Sequence, residues 1–292
     1  MQNERSVVIT GASGGIGSAL AERLVADGWR VLGTARDPHS ITAEGVVPIA
    51  LELTDDDSIS RAGATIREHL GDRGLDALVN NAGVIVQGPL ELVPAAELRR
   101  QFATSVLGPI ALTQALLPHL RAARGRIVNV GAPTGRVAVP LYGPIGASKA
   151  ALHSLNDALR MELRHQGVAV SLVVPGALET EIFAKAAAAA EAVGPASTEA
   201  ARLYRDAVAA AAERAAKTKA SPVAATVSAI RGALTTRRPK PLYVVDRDAR
   251  QLELLRRLPT SLRDRVLLSA VGIRADAFAA ARPGRTKAAP AA

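Results

Sequence analysis

The chain predicts an α/β protein built on an open, doubly wound parallel sheet. Three observations predict it. Short apolar, β-rich runs alternate with helical stretches from the N-terminus onward, their spacing suits right-handed crossovers between parallel strands, and the first strand runs directly into a glycine-rich turn that opens a helix. Residues 6–10, Ser-Val-Val-Ile-Thr, read as a buried strand. Residues 16–26 read as a helix, with Leu20, Leu24 and Val25 on one face and Gly28 just past its end. Further strands are expected at 30–35, 46–53, 75–80, 125–130, 168–174 and 242–245, with helices at 95–120 and 148–165.

Two regions depart from this rhythm. Residues 182–220 are Ala-rich and helical in pattern, interrupted at Gly194-Pro195, and stand where a substrate cover is inserted. Residues 282–292 are rich in Pro, Gly, Lys and Ala and read as a disordered basic tail. A length of 292 residues supports one large domain, expected over 1–281, and the sequence contains no internal repeat.

Composition limits the chemistry. Hydrophobic residues make up 48% and aromatic residues 2%, so the core is Ala, Val, Leu and Ile. There is no cysteine, which excludes disulfides, a thiolate nucleophile and thiolate metal sites. No His/Asp/Glu set has metal-ligand spacing, so no metal is expected. No apolar run reaches membrane-spanning length and the N-terminus does not resemble a signal peptide, which makes a cytoplasmic protein the expectation. Residues 1–230 carry 22 Lys/Arg and 22 Asp/Glu, whereas residues 231–292 carry 14 and 5, so the whole excess of +9 lies at the C-terminal end. Those arginines are scattered and lack interleaved aromatics, so nucleic acid is not an expected partner.

The segment Thr10-Gly-Ala-Ser-Gly-Gly-Ile-Gly17 follows a strand and opens a helix, the context of a phosphate-binding loop. Gly11 permits the tight turn, Gly15 lets backbone approach a pyrophosphate, and Gly17 lets helix and strand pack. Ser13 and Ile16 complete the loop, and the helix N-terminus offers amide donors and a positive dipole. The second strand ends in Ala35-Arg36 with no carboxylate, so NADP(H) is preferred over NAD(H): a guanidinium suits a 2′-phosphate, which an acid would repel.

Three further motifs carry a resemblance. Asn80-Asn-Ala-Gly83 follows the fourth strand, Pro175-Gly-Ala-Leu-Glu-Thr180 follows the sixth, and Lys149 lies in Ala147-Ser-Lys-Ala-Ala-Leu152. With the glycine loop, they make residues 5 to 182 resemble the short-chain dehydrogenase/reductase family, which has a Rossmann fold. The resemblance implies cofactor contacts from Asn81, Ala82 and Gly83 near the adenosine, from Pro175, Gly176, Leu178 and Thr180 beside the nicotinamide, and from Lys149 at the ribose. Glu52 and Leu53 stand where the family has Asp and an aliphatic residue near the adenine.

The same resemblance exposes a defect. The family's catalytic tyrosine stands four residues before its lysine, and here that position is Ile145. Its serine, thirteen residues before the tyrosine in many relatives, is Ala132, and its helix asparagine is Ser105. Only Lys149 of the four is retained. A positioned general acid contributes roughly 10²–10⁴-fold, so ordinary ketone reduction should be slow. Tyr142 and Thr134 are poorly placed substitutes, and His153 is expected to pack structurally.

Three functional readings follow. One is an NADP(H)-dependent oxidoreductase with an altered proton relay, acting on a small hydrophobic carbonyl or alcohol substrate. Another is a non-redox isomerase, lyase or cyclase using the same pocket. The third is a non-catalytic cofactor-binding protein. The resemblance also implies a homodimer or homotetramer, or pairing with an active relative, through the helices at 95–120 and 148–165.

Overall fold

The computed structural model describes residues 4–180, 182, 199–218 and 220–273. Strand β1 (Ser6–Thr10) leads into α1 (Gly15–Ala26), followed by β2 (Arg30–Ala35), β3 (Val46–Ala50), α2 (Asp56–Leu70) and β4 (Ala77–Asn80). Helices α3 (Ala95–Phe102) and α4 (Gly108–Ala122) precede β5 (Arg126–Val130), α5 (Gly143–Leu163) and β6 (Ala169–Val174). Then come α6 (Glu199–Lys217), α7 (Ala224–Thr235), β7 (Leu242–Val244), α8 (Arg247–Leu255) and α9 (Thr260–Ala270). The seven strands form one all-parallel sheet in the order β3-β2-β1-β4-β5-β6-β7. The order reverses between β1 and β4, which opens a crevice at the C-terminal ends of those strands.

Sequence and position agree strand by strand. β1 is buried along its whole length, as a central parallel strand covered on both faces must be. β3 contains Pro48, tolerated because β3 is an edge strand paired only with β2. One face of the sheet packs against α1 and α7 through Leu20, Leu24, Ile230 and Leu234. The other packs against α2 and α4 through Ile59, Ile66, Leu112, Leu116 and Leu120.

The stretch expected as one helix over 95–120 is broken. Residues Ala103–Leu107 form a π-helical turn between α3 and α4. Gly108 then lies so close to the Leu53 carbonyl oxygen that a Cβ there would be 2.3 Å from it. Of the expected cover, α6 is helical and the Tyr204 hydroxyl donates to Glu91 (3.0 Å). The break at Gly194-Pro195 and the tail over 282–292 lie outside the described residues. The ends of the inserted segment meet: Ser221 N–H donates to Ala177 O (2.8 Å) and Glu179 N–H donates to Ser221 O (3.0 Å).

Candidate active site

The crevice is built first by backbone. Gly11 adopts φ +68, and a Cβ there would stand 2.9 Å from Ala82 Cα. Ser13 and Gly15 are exposed, Ile16 is half-buried and Gly17 is buried beneath them. Helix α1 begins at this turn with no side-chain cap and no acid in its first turn, so its leading amides are left for an anion. Across the crevice, Thr180 leans onto the loop, and a Cβ on Gly15 would meet its Cγ2 at 2.8 Å.

The floor is a hydrogen-bonded seam between β1 and β4. Thr10 Oγ1 accepts from the N–H groups of Asn81 (2.9 Å) and Ala82 (3.0 Å), while Asn81 Nδ2 donates to Thr10 O (2.9 Å). Thr10 and Asn81 therefore lock the two strand ends around the crevice. Pro175 is buried at the end of β6, and Gly176 N–H donates to Asp246 Oδ2 (2.8 Å) at the end of β7. Leu178 is buried beside it. Asp246, which no sequence pattern singles out, fixes the backbone of this segment.

The four expected catalytic positions gather on α5, the π turn and the loop after β5. Lys149 is 7% exposed, and its Nζ donates to Val130 O (2.7 Å). Burial pulls its pKa down to about 8. A Cβ on Gly83 would lie 4.0 Å from this Nζ, so the amine stands between the ends of β4 and β5. Ile145, one turn earlier, is 7% exposed and packs with Ile85, Tyr142 and Ile182 in an apolar cluster. Tyr142 caps α5, and burial raises its phenol pKa. The Thr134 hydroxyl is buried with no partner among the described residues.

Ser105 does not face outward from the π turn. Its Oγ accepts from Gln101 Nε2 (2.9 Å), which also donates to Ser148 Oγ (3.1 Å), while Gln101 Oε1 accepts from Val86 N–H (2.8 Å). Gln101 is thus a buried hub that satisfies three groups. Its helix pattern marks it only as polar, and its partners lie 4, 15 and 47 residues away.

His153 seats the loop that carries Ala132. Its Nε2 accepts from Ala132 N–H (3.4 Å), and a Cβ on Gly131 would stand 2.3 Å from that nitrogen. The packing role expected for His153 therefore has a definite form, and Gly131 is the residue that makes room for it. Its pKa falls from 6.5 to about 4, first through burial and then through the charges of Lys149 and Arg136. The folded state prefers the neutral ring, so this contribution to stability is complete above pH 6.5 and is lost as pH falls through about 4. Between pH 7 and 4.5, urea denaturation should show a loss of stability steeper by about 2 kcal/mol in the wild-type chain than in His153→Leu. Equal slopes contradict this.

The expected adenine side lies at the ends of β2 and β3. Glu52 Oε1 accepts from both the N–H and Oγ1 of Thr54 (each 2.9 Å), so its carboxylate closes its own turn. Leu53 buries its side chain in the core, which leaves its backbone as the part it can offer. Arg36 is exposed at the end of β2, with no hydrogen bond or ion pair to any described residue.

A family model described as short chain dehydrogenase matches residues 5–191. The chain belongs to the short-chain dehydrogenase/reductase family. It is 37% identical over 183 residues to 3-amino-tetrahydro-pyrrolizinone reductase of Xenorhabdus hominickii, covering 62% of this chain and 64% of that protein. It is also 37% identical over 193 residues to NADPH-dependent 3-dehydrocapnine reductase of Ornithobacterium rhinotracheale, covering 62% and 68%. The chain therefore spans about two thirds of the length of these relatives. A short chain dehydrogenase from Burkholderia cenocepacia, solved in complex with NADP, superposes with a TM-score of 0.71 at 25% identity, covering 91% of this chain and 99% of that one. The seven-stranded sheet of this family member is the doubly wound arrangement its sequence predicts.

Proposed function

We propose that this short-chain dehydrogenase/reductase is an NADP(H)-dependent oxidoreductase of a hydrophobic carbonyl or alcohol substrate, with a non-standard proton relay. The observation that supports it best is an intact cofactor cradle around a retained lysine. The loop glycines leave no room for side chains, the α1 amides are uncapped, and Lys149 faces the crevice between the ends of β4 and β5. A dinucleotide bound there would supply or accept a hydride. Gly11, Ser13, Gly15, Ile16 and Gly17 hold its phosphates. Asn81, Ala82, Gly83 and the Leu53 backbone flank the adenosine, and Pro175, Gly176, Leu178 and Thr180 flank the nicotinamide. Ile145 forms an apolar wall with Ile85, Tyr142 and Ile182, which suits an apolar substrate.

NADP(H) is preferred through Arg36, whose unpartnered guanidinium is available to a 2′-phosphate. An NADPH-dependent relative and an NADP-bound neighbour point the same way. Arg36→Glu should weaken NADPH binding by about tenfold or more while leaving NADH binding nearly unchanged, measured by calorimetry. Equal loss for both cofactors contradicts the assignment.

The protein is also proposed to form a homodimer or homotetramer through α4 and α5. Leu107 (65%), Leu155 (38%) and Met161 (61%) are exposed on or beside these helices. No helix among the described residues is long and apolar enough to cross a membrane. A panel of apolar aldehydes and ketones, followed at the nicotinamide absorbance, tests the activity. NADPH binding without turnover on any of them favours the non-redox and non-catalytic readings.

A further inference from the structure

Carbonyl reduction needs a proton at oxygen as well as a hydride at carbon. The side chains around the crevice leave few donors. Ile145 and Ala132 have no exchangeable side-chain proton. Ser105 is held by Gln101, the Thr134 hydroxyl is an aliphatic alcohol too weakly acidic to release its proton, and His153 turns its Nε2 onto Ala132 N–H. Tyr142 lies on the apolar wall at the start of α5.

Lys149 differs from all of these. Its ammonium has three N–H bonds, and Val130 O is its one hydrogen-bond partner among the described residues. No carboxylate pairs with it there. Ile145 and Lys149 stand four residues apart on α5, so the apolar wall and the amine share a helix face. The family resemblance puts a tyrosine at position 145, where this chain has an isoleucine. Position 145 therefore offers no hydroxyl beside the amine.

We propose that Lys149 is itself the proton-transfer residue of this site. The inference rests on the oxidoreductase reading above. In reduction, a nicotinamide bound there would supply the hydride that the carbonyl carbon gains. The C=O π electrons move to oxygen, and oxygen takes a proton from Nζ. Lys149 is left as a neutral amine and regains a proton from water. In alcohol oxidation the neutral amine removes the hydroxyl proton. Burial brings the amine's pKa to about 8, close to the range a general acid needs. His153 on α5 feels the Lys149 charge directly, and Asp157 on α5, Arg136 on the loop after β5 and Glu253 on α8 act on that same imidazole, while Tyr142 is the buried phenol at the start of α5. His153 is neutral near pH 7, and Arg136 donates to Glu253 (2.9 Å).

The test uses the full chain with NADPH and decanal, comparing wild type, Lys149→Met and Lys149→Arg. Arginine keeps a cation for the ribose but does not release its proton in proteins. If Lys149 donates the proton, both variants lose kcat by at least roughly 100-fold, while Lys149→Arg still binds NADPH within about tenfold of wild type. Wild-type reduction should fall as pH rises through about 8, and NMR of the cofactor-free protein should show the Lys149 amine titrating there. Retained kcat in Lys149→Arg overturns the proposal, as does an amine that titrates near the ordinary 10.5. If wild type binds NADPH yet reduces no carbonyl of the panel, the oxidoreductase reading itself fails, and this inference with it.

Discussion

Ile145→Tyr combined with Ala132→Ser should raise NADPH-dependent carbonyl reduction at least roughly tenfold over the wild-type chain. The supporting parts are already in place. Lys149 stands one turn from position 145, and its positive charge lowers the pKa of a phenol placed beside it. Ala132 sits in extended backbone, held through its N–H by His153. A serine there gains its hydroxyl without new backbone geometry. The gain is bounded from above because Ser105 remains engaged with Gln101 and supplies no asparagine-type relay. In the double variant the phenol takes over proton transfer, so the Lys149-dependent pH profile should shift. The single Ile145→Tyr variant should gain less, since the serine steadies the same oxygen. If the double variant gains nothing while still binding NADPH, the pocket has diverged beyond these two residues. That result favours a non-redox role for the same fold.

Gly17→Ala should destabilise the protein by about 3 kcal/mol or more and abolish NADPH binding. A Cβ at this position would stand 2.1 Å from the Gly11 carbonyl oxygen and 2.8 Å from Gly11 C. Those are backbone atoms of the tight turn, so relief requires moving α1 away from the phosphate loop. Gly15→Ala provides the contrast. Its Cβ would meet the Thr180 Cγ2 methyl at 2.8 Å, and a side chain can rotate where a backbone cannot. Gly15→Ala should therefore fold with a loss of about 1 kcal/mol and bind NADPH more weakly. Urea denaturation and calorimetry on the two variants separate these outcomes. Equal stability for both contradicts the packing argument at Gly17.

Much of this fold is written locally. The buried apolar runs that become β1, β5 and β6 are legible because a parallel strand covered on both faces needs a continuous apolar run. The phosphate loop is legible because its glycines answer local steric demands. The family resemblance assigns the replaced positions, Ile145 counted from Lys149, Ala132 anchored by Gly135 and Ser105 within residues 101–108. What escaped the sequence is what distant residues decide. The π turn interrupts a stretch whose pattern is helical throughout, and the break places Ser105 against Gln101. Gly131 looks like loop composition until His153, 22 residues on, is seen against it. Asp246 supports Gly176 from 70 residues away. Glu52 had the right charge near the adenine side, but only the fold shows its carboxylate closing the Thr54 turn. Helices α8 and α9 also lay hidden in a segment that charge alone described as basic.

The central claim is that an intact NADP(H) cradle surrounds a site without the family's tyrosine and serine. Calorimetric titration of the full chain with NADPH and with NADH tests it most directly. The account predicts saturable NADPH binding, at least about tenfold tighter than NADH. No measurable binding of either cofactor would contradict it, because the glycine loop, the uncapped α1 amides and Lys149 would then have no ligand to explain them.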